Sequence, residues 1–200
     1  MSNFRPAENV PARNDSEAWD RFTRFAGPAL RSLDKHSQWI QSTPPQRGHV
    51  AIPVPEPVLT VKRRNGLPPL YVTPSIEFEY VDDDREPGRA RKLSTLGYSH
   101  TVATEKDSGT IFRWEWHPDN PNYPFTHMHV VSSEQFPDAG VPLKKLHLAT
   151  SRVSLEQIVF FLVRDLDVVI DSEDDFDQLR ESQLTHEHHR SWQGSGPAPT

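Results

Sequence analysis

Three features of this 200-residue chain predict an α+β domain, an antiparallel meander of four to five strands with helices packed on one face. From Ser75 onward, successive segments alternate apolar and polar residues and are separated by turn-rich connections. Those connections are short, which favours antiparallel neighbours. Two capping-box pairs, Asn14 with Glu17 and Ser154 with Gln157, each open a run whose apolar residues recur at helical spacing.

Taken in order, the polar, proline-containing residues 1–13 read as a disordered tail. An N-terminal helical region over 14–43 follows. Trp19, Phe22, Phe25 and Ala26 mark a first helix, Gly27-Pro28 interrupts it, and Pro28 opens a second helix with Leu30, Leu33, Ser37 and Ile40 on one side and Trp39 beside them. Residues 44–74 hold too many prolines for a central strand and predict an extended connector or edge segment, because each proline removes a ladder donor.

The α+β domain spans 75–192. In "SIEFEYV", Ile76, Phe78 and Tyr80 face one way and Glu77 and Glu79 the other. After the polar loop "VDDDREPGR" come the strands "LSTLGYSHTVAT", "TIFRWEWH" and "FTHMHVVS", with "KKLHLAT" as a short fifth. Ile158, Phe161, Leu162 and Leu166 form the apolar stripe of a helix that packs on the sheet. A last helix starts near Ser172 with Glu173, Asp174 and Asp175 in its first turn, where the macrodipole favours negative charge. Residues 193–200 have the composition of a flexible tail.

The hydrophobic fraction of 34% and the 19 prolines place much of the chain outside a packed core. A net charge of -6 without a dominant acidic block argues against non-specific binding to nucleic acid, so phosphate recognition requires a local basic patch. The absence of cysteine excludes disulfides, thiolate zinc sites and cysteine nucleophiles. With no apolar run long enough to cross a membrane, the expectation is a soluble, cytoplasmic protein, and a homo-oligomer stays open because Trp39 and the aromatic helix face suit either a dimer or the parent core.

Chemistry concentrates in "PFTHMHV". Alternation sends Thr126, Met128 and Val130 toward the helices and His127 and His129 away together. It sends Phe112, Trp114 and Trp116 inward and Arg113, Glu115 and His117 outward, and in the fifth strand Leu146 and Leu148 inward and Lys145 and His147 outward. The outward face therefore gathers imidazoles and cations. One histidine can deprotonate a ribose hydroxyl, a second can protonate the leaving oxygen, and Arg113 or Lys145 can offset charge on the phosphate, with no cofactor. The same pair could instead ligate zinc, with His117, His147 or Asp119 as third ligand.

"YSH" at Tyr98 to His100, "IFRWEW" around Phe112, Arg113 and Trp114, and "PFTHMHV" together resemble the TumE-type family of small toxin–antitoxin proteins over about half of the chain, residues 75–170. The family pattern has Asp-Asn directly after the arginine–aromatic pair and a third histidine before the last two; here Asp119 and Asn120 come later and Thr126 takes the histidine's place. The resemblance implies a toxin-like protein that targets RNA and is neutralised by a protein partner, with His127, His129 and Arg113 carried over and Tyr98 and His100 beside them. Three readings follow: a prokaryotic or phage toxin-like ribonuclease that needs no metal, a non-enzymatic protein-binding module of antitoxin or immunity type, and a metal-dependent hydrolase.

Overall fold

A computed structural model describes residues 11–42, 48–83, 90–130, 147–170 and 173–188. It is an α+β structure with an antiparallel sheet and three helices: α1 (Asp15–Leu33), β1 (Gln38–Ser42), β2 (His49–Val54), β3 (Leu59–Val61), β4 (Leu70–Asp82), β5 (Arg91–Ala103), β6 (Thr110–Trp116), β7 (His127–Val130), β8 (His147–Ala149), α2 (Leu155–Asp165) and α3 (Glu173–His188). The strand order is β1-β2-β4-β5-β6-β7-β8, with β3 also pairing β4. The expected meander is β4 to β8. Three strands contributed by residues 38–61 enlarge the sheet to eight.

Those added strands correct two expectations. Gly27-Pro28 does not interrupt α1, which runs on to Leu33. Pro28 removes one donor, but Ala26, Gly27, Ala29 and Leu30 are buried, and packing of that small-residue face overrides the local preference. The helix stops at Asp34, whose carboxylate accepts from His36 N (3.1 Å) and the Ser37 hydroxyl (2.6 Å). That turn starts β1 where a second helix was expected. Trp39 is buried and its indole N–H donates to the Ala26 carbonyl at 3.1 Å, tying β1 to α1.

The proline-rich stretch is no mere connector, since β2 sits between β1 and β4. Prolines are accommodated where ladders lapse. Pro53 pairs with Trp39 of β1 but lies beyond the His49–Ala51 segment that pairs with β4. Pro74 falls in the gap on β4 between the part bonded to β3 and the part bonded to β2. At the turn after β3, Arg63 donates from Nε to the Leu166 carbonyl at 2.8 Å, satisfying the end of α2, so this basic stretch has a structural use.

The helices cover one face. Trp19 of α1 stacks on Phe78 of β4 with centroids 5.6 Å apart, and Phe161 of α2 meets Phe112 and Trp114 of β6 edge-on at 5.3 and 5.5 Å. α2 begins with the complete capping box foreseen at Ser154 and Gln157. α3 packs on α1 and α2 through Ser182, whose hydroxyl donates toward the Phe25 carbonyl (2.5 Å) and the buried Glu156 carboxylate (2.7 Å). No helix among the described residues is long and apolar enough to cross a membrane.

Candidate metal centre

Strands β6 and β7 pair with Glu115 opposite His127 and Arg113 opposite His129. Since side chains alternate across a strand, these four share the face turned from α2, while Phe112, Trp114 and Met128 join the core. The expected segregation of imidazoles and cations from the aromatic face is therefore present. The neighbouring rows are small and hydroxylic: Ser75 and Ser99 continue the Glu115–His127 row, and Thr73 and Thr101 the Arg113–His129 row.

The cluster converges on one atom. Glu115 Oε2 lies 3.0 Å from His129 Nε2, 3.9 Å from His127 Nε2 and 3.2 Å from Arg113 Nε. Arg113 Nε is near enough for charge pairing but off the hydrogen-bond axis, so that buried N–H has no acceptor among the described residues. The imidazole rings are 4.8 Å apart. Side-chain exposure is 6% for His127, 9% for His129, 18% for Glu115 and 41% for Arg113, so the expected open sheet face is a largely buried cluster with Arg113 its most exposed member. Tyr123, from the loop 117–126, lies against His127 at 5.6 Å.

The tautomer of His127 follows from its surroundings. Its Nδ1 stands 2.8 Å from the Phe125 carbonyl oxygen, which can only accept, so Nδ1 carries the proton and donates it. In the neutral form of the ring that arrangement leaves the lone pair at Nε2, toward Glu115. A nitrogen lone pair and a carboxylate directed at one space attract a cation, and a backbone carbonyl that accepts from the far ring nitrogen is the usual support for a metal-ligating histidine. One ligand atom from each of Glu115, His127 and His129 lies within 4.8 Å of the others. In a tetrahedral zinc site, bonds of 2.0–2.2 Å put ligand atoms about 3.4 Å apart. The observed 3.0 and 3.9 Å flank that separation.

The structure redistributes the other candidates. Tyr98 and His100 do not join this cluster. They occupy the helix-facing side of β5, opposite Trp116 and Trp114 respectively, with rings stacked 5.1 Å apart, and the Tyr98 hydroxyl accepts from Val153 N at 3.1 Å. His100 is buried, and burial depresses its imidazole to about 3. Burial likewise pushes the Tyr98 phenol up. His147 is opposite His129 in the β7–β8 register; Lys145 and Leu146 lie outside the described residues. His117 sits beside Gly97, and neither it nor Asp119 belongs to the three-ligand group.

Glu115 is the member of this cluster that sequence reasoning did not count among the candidate ligands. Alternation puts it on the correct face, but its place opposite His127 depends on how the loop 117–126 closes, which no short-range pattern fixes. Comparison with protein-family models, curated proteins and solved structures finds no match for the chain.

Proposed function

We propose that Glu115, His127 and His129 hold one divalent metal ion, zinc foremost, and that the chain is a metal-dependent hydrolase acting on an anionic substrate. The observation that carries this is the convergence of two imidazoles and one carboxylate within 4.8 Å, with His127 held in the ligating tautomer by the Phe125 carbonyl. Two histidines and a glutamate leave the fourth position of a tetrahedral ion for water, whose pKa the ion lowers to about 7. Arg113, the most exposed member of the cluster, is placed to offset charge on a phosphate or carboxylate. A phosphodiester, and RNA in particular, is the substrate class that fits both this cation and the resemblance to TumE-type proteins; a neutralising protein partner belongs to the same proposal.

The metal-independent ribonuclease keeps the support of the Arg113 and histidine composition, but the spacing favours the metal. An acid and a base on either side of a phosphorus each reach about 3 Å to their oxygens, which calls for roughly 6 Å or more between them. The ligand atoms of His127 and His129 instead lie within 4.8 Å of each other.

Single-stranded RNA incubated with purified protein distinguishes the readings. Cleavage that needs added zinc, stops in chelator and is lost in Glu115→Gln is the expected result. Cleavage that persists in chelator and in Glu115→Gln but disappears in His129→Ala would replace it with the metal-free mechanism. Absence of turnover on phosphodiester, phosphomonoester and peptide substrates by zinc-loaded protein would overturn the hydrolase reading and leave a binding module.

A further inference from the structure

On the other side of the sheet, α1, β4, β5 and the start of α2 line a half-open cavity of about 130 Å³. Its walls are largely apolar and carry the rings of Phe22 and Phe25 of α1, Phe78 of β4 and the stacked Tyr98 and His100. Engineered apolar cavities of about 150 Å³ take up a single benzene ring. The space thus accommodates one ring.

One group in this wall has no account in the folding of the domain. His100 is only 2% exposed, yet its Nδ1 has no hydrogen-bond partner among the described residues. A buried polar atom left unpaired costs about 1–3 kcal/mol, and leucine would fill the same volume without that penalty. A neutral imidazole offers one donor and one acceptor, and a hydroxyl can answer either. Of the cations bordering the cavity, Lys92 pairs with Asp83 at 3.2 Å, Arg91 with Asp15 and Asp82 at 2.8 and 2.7 Å, and Arg21 lies over the Phe25 ring at 5.9 Å. The paired Lys92 and Arg91 offer little to an incoming anion.

We propose that this cavity binds a small planar aromatic molecule bearing one hydroxyl, which stacks among the phenylalanines and exchanges a hydrogen bond with the His100 imidazole. The site is independent of the Glu115 cluster, which lies across the sheet, and the proposal stands whether or not that cluster holds a metal.

Titration of the full chain with phenol, toluene and benzoate, followed by ligand-observed NMR, tests it. Phenol and toluene should each saturate one site, with phenol about three- to tenfold tighter, the range one hydrogen bond supports, and benzoate weaker than both. In His100→Leu the phenol advantage should vanish while toluene binding stays within about twofold, as expected for a contribution confined to one hydrogen bond. Should that variant fail to fold, long-range ¹H–¹⁵N spectra of the wild-type histidines give the same answer, because phenol should shift the His100 ring nitrogens and toluene should not. Absence of saturable phenol binding, an unchanged phenol preference in His100→Leu, unmoved His100 nitrogens, or benzoate binding tighter than phenol would each overturn the proposal.

Discussion

Acidification should weaken this fold through His100 in a way one substitution can isolate. The buried imidazole stays neutral in the folded chain, because burial holds its pKa down to about 3, while in the unfolded chain it returns to 6.5. Above pH 6.5 both states are neutral and the contribution to stability is intact. As pH falls toward 3 the unfolded state takes up a proton that the folded state does not, and stability drains at roughly 1 kcal/mol per pH unit. Between pH 7 and pH 5 the loss comes to about 2 kcal/mol, equivalent to about 4–8 °C in Tm for a chain of this size. Urea or thermal unfolding at pH 7, 6 and 5, run on wild type and His100→Leu, reads this out. The wild-type profile should fall more steeply by that amount, since every other titrating group is common to both. Parallel profiles would show that His100 takes a proton in the folded state, and the reasoning from its burial would be wrong.

Two further substitutions test the frame that positions the cluster. A Cβ added at Gly97 would lie 2.7 Å from the Trp116 carbonyl oxygen, so Gly97→Ala must push β5 and β6 apart; a loss of about 1–3 kcal/mol is expected in urea unfolding, and a change of less than about 0.5 kcal/mol would contradict the close approach. Ser154→Ala removes the acceptor for Gln157 N and half of the capping box of α2; Tm should fall by about 2–4 °C, for a cost of about 1 kcal/mol, and an unchanged Tm would deny the cap its role.

The parts of this architecture legible in the sequence are those set by local pattern. The alternation in 75–81 and 110–116 identified the strands and their buried faces, and Asn14 and Ser154 located the starts of two helices because their side chains do accept from Glu17 N and Gln157 N. What escaped depends on distant partners. Trp39 reads as a helical residue by its spacing, yet its indole donates to a carbonyl thirteen residues earlier and the segment becomes a strand. Pro53 and Pro74 read as strand breakers, and they sit where neighbouring strands happen to lapse, which only the full sheet reveals. At the cluster, alternation correctly put His127, His129 and Arg113 on one face. The convergence on Glu115, and the removal of Tyr98 and His100 to the opposite face, required the registers of β5 with β6 and β6 with β7.

Zinc titration by isothermal calorimetry, in two buffers of different ionisation enthalpy, tests the proposed metal centre most directly. One ion per chain is expected. Its affinity should weaken as pH falls, since protons compete for the imidazoles, and it should be lost in the double variant His127→Ala, His129→Ala, with the fold retained by circular dichroism. Binding of equal stoichiometry and affinity in that variant, or no binding by wild type at micromolar zinc, would contradict the assignment of Glu115, His127 and His129 as a metal site.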